Sequence, residues 1–539
     1  MSSEGKKGRG KIEKKAHALL AAATVLGCVL YLVWPHAGFV FDDPVTILHN
    51  RMVQESPIFS VRENPFRAVV NLTFWLQHRL HRPAFAPMTI AAARPRITGR
   101  GERLRPFYLD PATGAAVPVT IDRDQGMVYP LPPSWPFHLF NLGLHLLNGW
   151  LLFYILRRLR TADLLAAACA AAFILHPLAT EPVNYITARF ALMALAFSLA
   201  AALAHLRADG RGKGELIALG FYILALFSKE TAAGLPLMLF VLDLARGRVR
   251  PLCLAGLGVL AAYAAARSQW LVVLGMRPGE VLDWPLYLLA QQRVFWLYLD
   301  KVLLPVRLNF DYFLRSRPGL DAAFAALNLV ILTAASIRLL QILARLRAAP
   351  ARPGAEGKRR PEARAFGTVA APAGAAAIVL LCFIALAPTS SFIPLADLAR
   401  EDRAYPLLAI LIPAAGLGLA RFLAATPRLR RPALITAAAA LCLLAAGTAA
   451  RNSAWQTELT LNTAIVRQSP EKPRAVYNYA TALKWRGRLD EALHWYEFTL
   501  ALDPAYQDAR INADTLRRLR GESARGQPGR PSPPTPSPW

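Results

Sequence analysis

Long apolar runs without a charged residue constrain the fold of this chain more than any other feature. Examples are HALLAAATVLGCVLYLVW at 17–34 and TAAAALCLLAAGTAA at 436–450. Such runs approach the length that an α-helix needs to cross the hydrocarbon core of a bilayer. A helix in a soluble protein would interrupt them with a polar face. With 55% hydrophobic and 18% charged residues, the chain is predicted to be an all-α polytopic membrane protein.

The net charge of +27 also suits a nucleic-acid-binding protein, but the basic residues stand mostly at the ends of apolar runs. Basic connections include 157–160, 207–213, 246–250, 345–364 and 428–431. Short loops rich in Lys and Arg stay in the cytoplasm under the positive-inside rule. The distribution therefore predicts a membrane topology with a basic cytoplasmic amino terminus over 1–16, and no nucleic-acid binding.

The apolar runs and basic loops together predict a membrane domain of about eleven crossings over 17–450. The predicted spans are 17–35, 138–157, 163–178, 184–205, 215–229, 232–245, 252–273, 321–344, 367–388, 406–421 and 433–450. The segment 285–308 contains glutamines and charged residues that a lipid-exposed span rarely tolerates. We expect that segment to be re-entrant or interfacial.

The first outer loop, 36–137, is long and contains an insert at 82–133. The second half of the insert alternates apolar and polar residues around a DPATGAA turn, which predicts a small irregular or β-hairpin element. The arginine-rich first half suits contact with anionic headgroups, a cover over an acceptor cleft, or a neutral insertion. All five cysteines lie in apolar segments, so no disulfide framework is predicted.

After residue 450 the composition becomes amphipathic. The offsets of a tetratricopeptide repeat (TPR) are matched by Gly487, Glu491, Ala492, Tyr496 and Pro504. Pro470 stands 34 residues before Pro504, which is one repeat period. A short TPR module is therefore predicted over 453–520. A Pro/Ser-rich tail, 521–539, is predicted to be disordered.

Two adjacent carboxylates, Asp42 and Asp43, follow the first span in FVFDDPVTILHN. Apolar residues flank the pair, so the carboxylates are held against apolar surface. A carboxylate there can accept a proton from an attacking hydroxyl, and a close pair can raise one pKa. The residues alone leave catalysis and ordinary boundary charge as alternatives.

The second span carries a polar stripe. His138, Asn141, His145 and Asn148 are three, four and three residues apart, which places them on one helix face. Such a stripe faces protein or a water-filled cavity, where it lines a substrate site or forms interhelical hydrogen bonds. The His spacing is long for a single ion, so no metal site is predicted and divalent-metal dependence stays open.

Three further predicted outer hairpins contain acids and bases together. Their candidate binding residues are His176, Glu181, Arg189, Lys229, Glu230, Glu401 and Arg403. The predicted inner loops instead carry Lys and Arg with few acids. Cations at a membrane boundary suit a lipid phosphate. Because no phosphate-binding glycine loop is present, the donor is predicted to be lipid-borne.

These stretches, in this order, resemble the transmembrane-and-TPR O-mannosyltransferase-like proteins, relatives of protein O-mannosyltransferases within the GT-C glycosyltransferases. The matching stretches are FDDPVTILHN, NPFRAVVNLTFWL, FHLFNLGLHLLN, FILHPLATEPVNYITAR, FSKETAAGLP, SSFIPLADLAREDRAYP and the carboxyl-terminal repeat. The resemblance implies a GT-C-like helix bundle with an outer active site and Asp42 or Asp43 as base. It implies a polyprenyl-phosphate-linked mannose or other hexose as donor, Ser or Thr as acceptor, and Arg67 at the substrate site.

By this resemblance we expect a bacterial inner-membrane enzyme whose active site and repeats face the periplasm. The long insert departs from the family pattern. Two alternatives stay open: a non-catalytic scaffold whose TPR module binds an extracytoplasmic partner, and a GT-C transferase that modifies lipid or glycan. A secondary transporter is disfavoured because the chain has no repeated halves with matching broken helices.

Overall fold

The structure is a computed structural model. It describes residues 3–32, 39–43, 46–47, 50, 53, 65–81, 88–89, 96–98, 105–109, 116–122, 127–130, 133–208, 212–245, 250–273, 284–315, 317–348, 371–390, 395 and 397–526. The basic loop 345–364 lies mostly outside the described residues, and so does the tail from 527 onward.

Helices account for most of the described chain. In the predicted membrane domain they are α1 (Ser3–Leu32), α2 (Ala68–Leu80), α3 (Trp135–Arg158), α4 (Asp163–Ile174), α5 (Thr180–Asn184), α6 (Arg189–Ala208), α7 (Gly212–Leu226), α8 (Leu235–Ala245), α9 (Leu252–Val273), α10 (Trp284–Leu303), α11 (Pro318–Ala348), α12 (Ala371–Leu386), α13 (Glu401–Ala425) and α14 (Arg430–Ala454). They are followed by α15 (Glu458–Gln468), α16 (Pro473–Trp485), α17 (Leu489–Leu502) and α18 (Gln507–Gly526).

Among the described residues, seven helices are long and apolar enough to cross a membrane. These are Gly10–Leu32, Trp135–Arg158, Ile186–Ala208, Leu252–Gln269, Pro318–Gln341, Glu401–Ala425 and Pro427–Ala454. The bent pair Asp163–Ile174 and Pro177–Asn184 gives an eighth. The chain is therefore a membrane protein. Because α7, α8 and α12 are shorter than a full crossing needs, the count of eleven stays a prediction.

In the segment predicted to be re-entrant or interfacial, 285–308, helix α10 runs without a break to Leu303 and is not among the described helices that are long and apolar enough to cross a membrane, so the prediction stays open. The polar side chains of this helix are paired within the protein. The Gln291 amide donates to the Leu398 carbonyl at 2.8 Å, and Arg293 Nε lies 2.8 Å from Asp321 Oδ1. These contacts explain how a helix with internal charges packs inside the bundle.

Five short strands lie in the insert for which the sequence predicts a β-hairpin. They are β1 (Met88–Thr89), β2 (Arg96–Thr98), β3 (Arg105–Leu109), β4 (Ala116–Asp122) and β5 (Met127–Pro130). Neighbouring strands pair antiparallel in the order β1-β5-β4-β3-β2. The register places Leu109 opposite Ala116. The sheet is inserted between α2 and α3.

Small residues allow close packing of the first helices. A Cβ added to Gly149 of α3 would lie 2.6 Å from the Ile174 side chain, and one added to Gly27 of α1 would lie 2.9 Å from it. Only glycine leaves room for this approach, which is typical of membrane helix interfaces. The five cysteines are free.

The carboxyl-terminal helices α16, α17 and α18 share a core of their own. It contains Ala480, Leu483, Ala492, Leu493, Tyr496, Ala509, Ala513 and Leu516. Gly487, at a φ of 72°, forms the turn between α16 and α17. The last helix continues to Gly526, into the segment 521–539 for which the sequence predicts disorder. The assignment of these helices to a TPR module stays a prediction.

Candidate active site

The adjacent carboxylates of Asp42 and Asp43 have opposite surroundings. Asp43 is fully buried, and its Oδ1 accepts hydrogen bonds of 2.7 Å from both the amide and the hydroxyl of Thr187. Its Oδ2 accepts a bond of 3.0 Å from the amide of Val40. Burial raises the pKa of Asp43 to about 7, against the opposing effect of these hydrogen bonds. Asp42 is exposed and accepts a 3.0 Å bond from the Tyr185 hydroxyl, so its carboxylate is accessible to a substrate.

The turn that carries the two carboxylates is strained at Phe41, the residue before Asp42, whose φ is 51°. A side chain other than glycine rarely adopts this region, and doing so costs about 1–3 kcal/mol. The ring of Phe41 stacks on Phe310, with centroids 4.3 Å apart and planes 24° from parallel. Phe310 lies between α10 and α11, so a distant segment stabilises the backbone that presents Asp42.

Arg400 is the centre of an ion network beside this turn. Its Nη2 lies 3.4 Å from Glu181 Oε1, and its Nε lies 3.4 Å from Asp402 Oδ1. The guanidinium also lies over the ring of Tyr185, 5.2 Å from the centroid. Lys229 extends the network with a contact of 2.6 Å between its Nζ and Asp402 Oδ2. Segments that are remote in sequence therefore meet at one charged site.

Glu401 belongs to the same network. Its amide donates to Glu181 Oε2 at 3.1 Å, and its Oε1 accepts a 3.0 Å hydrogen bond from the Tyr312 hydroxyl. Arg451 Nη2 lies 3.8 Å from Glu401 Oε2. Arg403 instead donates to a main-chain carbonyl of its own loop at 2.7 Å. Glu401 thus contributes charge to the site, whereas Arg403 stabilises the loop that carries it.

Several polar atoms of this network are buried without a hydrogen bond. In the described part of the chain they include Arg400 Nε, Glu401 Oε2, Asp402 Oδ1, Arg451 Nε and Arg451 Nη2. Buried polar atoms in native proteins nearly always have a hydrogen-bond partner. Four of the five atoms face each other in ion pairs, Arg400 Nε with Asp402 Oδ1 at 3.4 Å and Arg451 Nη2 with Glu401 Oε2 at 3.8 Å, without forming hydrogen bonds. Loosely paired charges of this kind can rearrange around a polar ligand. The arginine donors suit an anion, and the carboxylates suit hydroxyl groups.

A second set of basic residues surrounds Glu230, which directly follows Lys229 in the chain. Arg67 Nη2 contacts Glu230 Oε2 at 2.6 Å, and Arg267 Nη1 lies 3.6 Å from the same oxygen. Burial alone would raise the pKa of Glu230, but Arg67, Arg267 and Lys229 hold this pKa at about 2. Two guanidinium groups share one carboxylate, so positive charge is left to attract an anion.

An apolar cavity of about 180 Å³ lies beside these charged groups. Aliphatic side chains of α3, α6, α8, α12 and α13 form most of its wall, with Ser198 and Thr231 as polar lining residues. Thr231 directly follows Glu230, and Pro406 is four residues beyond Asp402 on α13. The cavity therefore extends from the charged groups between apolar helices, where it can accept a hydrocarbon chain.

Two predicted binding residues, Asn141 and Arg189, are fully buried between helices. Arg189 Nε donates to Asn141 Oδ1 at 2.9 Å, and Arg189 Nη1 donates to Thr73 Oγ1 at 3.1 Å. The guanidinium lies 4.2 Å from the ring centroid of Phe74 and 4.5 Å from that of Phe140. These contacts pack α2, α3 and α6 together at the edge of the site.

The predicted histidines also form contacts inside the bundle. His145 is buried, with Nδ1 2.9 Å from the Tyr405 hydroxyl and Nε2 3.0 Å from a carbonyl of α4. His176 Nε2 lies 3.0 Å from the Val302 carbonyl, at the break after α4. His138 is half-buried at the start of α3. His145 therefore forms interhelical hydrogen bonds, which is one of the two roles that the sequence allowed for the polar stripe.

Sequence reasoning missed several residues of the site: Tyr185, Arg267, Phe310, Tyr312 and Arg451. Arg267 could have been recognised, because it lies inside the predicted span 252–273 and an intramembrane arginine usually has a function. The others gave no local signal, since their importance arises from contacts with residues far away in sequence.

The arrangement offers three kinds of binding group. The exposed carboxylate of Asp42 can accept a proton, the arginines and Lys229 can bind a phosphate, and the apolar cavity can take a hydrocarbon chain. Among the described residues, no three His, Cys, Asp or Glu side chains are grouped closely enough to hold a metal ion.

Comparison with known proteins finds one partial likeness at the level of sequence. The chain is 27% identical over 226 residues to the protein O-mannosyl-transferase Tmtc1 of Drosophila melanogaster. The match covers 41% of this chain and 22% of the fly protein, so the chain spans about a fifth of that relative's length. No family model matches, and no solved structure matches.

Proposed function

We propose that this protein is a membrane glycosyltransferase of the GT-C type. It transfers mannose or another hexose from a polyprenyl-phosphate-linked donor to a Ser or Thr hydroxyl of a protein. The observation that carries the proposal is the exposed Asp42 carboxylate, joined through Tyr185 to a buried arginine network that borders an apolar cavity. The partial likeness to a protein O-mannosyl-transferase supports the same reaction class.

In the proposed reaction Asp42 is the base. The acceptor oxygen attacks the anomeric carbon of the donor while its proton passes to Asp42, and the bond between that carbon and the phosphate oxygen breaks. The polyprenyl phosphate leaves with the electron pair. The Tyr185 hydroxyl donates to Asp42 Oδ2, which leaves Oδ1 to face the acceptor. Asp43 keeps the turn in place through its bonds to Thr187 and Val40.

The carrier phosphate is proposed to bind the cations between Asp42 and the cavity. Arg400 Nε is buried and faces Asp402 Oδ1 at 3.4 Å without forming a hydrogen bond, and Lys229 contacts the same carboxylate. Arg67 and Arg267 add positive charge around Glu230. As charge develops on the leaving phosphate, these fixed donors stabilise it.

The polyprenyl chain is proposed to enter the apolar cavity of about 180 Å³ between α3, α6, α8, α12 and α13. Its wall is aliphatic except at Ser198 and Thr231, and Thr231 directly follows Glu230 in the chain. A carrier lipid would thus keep its phosphate against the cations while its hydrocarbon chain stays among apolar helices.

We propose that the site faces the periplasm, in a bacterial inner membrane, with the amino terminus in the cytoplasm. The basic loops support this orientation. The carboxyl-terminal helices are proposed to form a TPR module on the same side as the active site. Gly487 at the turn and the buried Ala480, Ala492 and Tyr496 support the repeat assignment.

A reconstitution experiment tests the proposal. The purified full-length chain in lipid is incubated with a polyprenyl-phosphate hexose and a Ser/Thr-rich peptide, and the products are analysed by mass spectrometry. We expect a hexose on the peptide, and none when a nucleotide sugar replaces the lipid donor. Hexose found only on added lipid or glycan would favour the lipid- or glycan-directed transferase. Donor that stays intact with every acceptor class would favour the scaffold.

A further inference from the structure

The carboxyl-terminal helices contact two loops that carry or adjoin the proposed catalytic groups. One loop follows α10 (304–315), and the other precedes α13 (397–400). At the first loop, Asn309 Nδ2 donates to Ser469 Oγ at 2.8 Å, and the Gln468 amide donates to the Leu308 carbonyl at 2.8 Å. The end of α15 is therefore fixed to the membrane domain at this loop.

Arg474 joins both loops. Its guanidinium binds the carboxylates of Asp311 and Asp397 together. Lys472 binds Asp311 as well, and its Nζ lies 3.7 Å from Asp397 Oδ1. The side chain of Asp311 is 3% exposed and that of Asp397 is 17% exposed. Largely buried carboxylates need a paired cation, so removing Arg474 would weaken the link between the two loops and leave Lys472 as their only shared cation among the described residues.

The contact at Asp397 reaches the ion network directly. Asp397 is three residues before Arg400, and its carbonyl accepts a 2.7 Å hydrogen bond from Arg403 Nη1. The loop between Asp397 and Arg403 therefore has charged contacts at both ends, with Arg400 at its middle.

The other loop reaches Asp42. Phe310 packs edge-on against Trp455, with centroids 5.6 Å apart, and stacks on Phe41 at 4.3 Å. Phe310 also lies under the guanidinium of Arg400, 5.1 Å away. Trp455, at the end of α14, thus packs against Phe310, and the Phe310 ring stacks on Phe41, the strained residue before Asp42.

We propose that Arg474, Asp397 and Phe310 are positioning residues, through which the carboxyl-terminal helices hold Asp42 and Arg400 in their catalytic positions. The inference rests on the proposed function, since it assigns a role in the same reaction. We call the contact of Arg474 with Asp311 and Asp397 the clamp. Without the clamp, the helices would still fold through their own core, but the loops would lose their fixed geometry. Catalysis is sensitive to displacements on the order of 1 Å in such groups.

The test compares two arginine variants of the full-length protein. Arg474→Gln removes the clamp. Arg517→Gln is the matched control, because Arg517 pairs with Glu497 and Asp514 inside the carboxyl-terminal helices. Amide hydrogen exchange is measured without any substrate. We expect Arg474→Gln to accelerate exchange at 397–403 and 39–43 by about tenfold or more, with α16–α18 unchanged. Exchange that matches the control at both loops would overturn the proposal.

Kinetics with donor and peptide then separate positioning from acceptor binding. Arg474→Gln is expected to lower kcat by about 100-fold with the KM for the peptide unchanged, and Arg474→Lys should restore part of kcat. A raised KM at wild-type kcat would overturn positioning in favour of acceptor binding. If Arg474→Gln does not fold, Asp397→Asn tests the same contact from the membrane domain. A wild-type protein without transferase activity would sink the proposed function, while the exchange comparison would still decide the clamp.

Discussion

Two charged clusters at opposite ends of α6, α7 and α8 are built in different ways. The active-site cluster lies near the start of α6 and the segment between α7 and α8. The far cluster lies at the other ends of these helices, where His205 contacts Glu215 at 2.8 Å and Asp243 at 2.9 Å. Arg250 binds the same carboxylates at 3.1 Å and 2.6 Å.

In the far cluster the charged side chains are fully hydrogen-bonded, whereas in the active-site cluster several buried polar atoms are not. Both oxygens of Asp243 and both ring nitrogens of His205 have partners. None of the four far-cluster side chains is among the buried groups that lack a hydrogen bond in the described chain, whereas Arg400, Glu401 and Asp402 are. A network whose polar atoms are all hydrogen-bonded is rigid, whereas the ion pairs of 3.4 Å and 3.8 Å in the other cluster are long and can rearrange around a ligand. The same residue types therefore serve stability at one end and, in the proposed function, ligand binding at the other.

The largest expected effect is a loss of transferase activity on substitution of Asp42, beside the active-site cluster. Asp42→Asn should lower kcat by about 10²–10⁴-fold, because the neutral amide cannot take the acceptor proton. The thermal unfolding midpoint should stay near that of wild type, because Asp42 is exposed and Asn can still accept from Tyr185. Transfer of labelled hexose and a thermal melt measure the two quantities. If Asp42→Asn keeps its activity while Asp43→Asn loses it, the base is misassigned.

The matched change at the far end should do the reverse. Asp243→Asn removes the carboxylate that binds both Arg250 and His205 most closely in this cluster and leaves Glu215 as their remaining shared carboxylate. Breaking a buried pair in this way lowers stability by about 3–5 kcal/mol. Chemical unfolding in lipid measures the loss, and kcat per folded molecule should match wild type. Lost activity at unchanged stability would place the far cluster in the reaction.

The smallest expected effect is on the pH dependence of stability, and it tests the difference in burial between Asp42 and Asp43. The folded chain holds a proton on Asp43 up to its pKa of about 7, whereas the unfolded chain releases it near the ordinary value of 3.8. Stability is therefore fully present below pH 4 and falls as pH rises through 7. Between about pH 6 and 8 the loss is about 1.4 kcal/mol. Unfolding across this range should show a flatter pH dependence for Asp43→Asn. Parallel profiles for the two proteins would refute the buried titration.

The contacts of the carboxyl-terminal helices change what a deletion can reveal. Removing 453–520 takes away Trp455, Lys472 and Arg474, which all contact loops of the proposed active site. An enzyme and a scaffold would then both lose function. Point variants at Arg474 and Arg517 discriminate better, since they leave the helices themselves intact.

Much of the local structure could be predicted from sequence. The positions of most spans follow from apolar runs, and α16 and α17 follow from the repeat offsets that flank Gly487. Whether 285–308 is re-entrant or interfacial stays a prediction, but the structure shows that charged residues such as Arg293 find partners inside the bundle. Hydropathy measures transfer to lipid and contains no information on such internal pairing.

The sequence by itself determined that this chain enters a membrane, and it placed Asp42 and Asp43 shortly after the first predicted span. Hydropathy and helical period depend on near neighbours, so they are readable without a fold. Only the tertiary structure decided which carboxylate is exposed, that Arg400 is the centre of the network, and that Arg474 reaches it. Those facts depend on contacts such as Tyr185 with Asp42, across 143 residues of chain, and no local pattern encodes them.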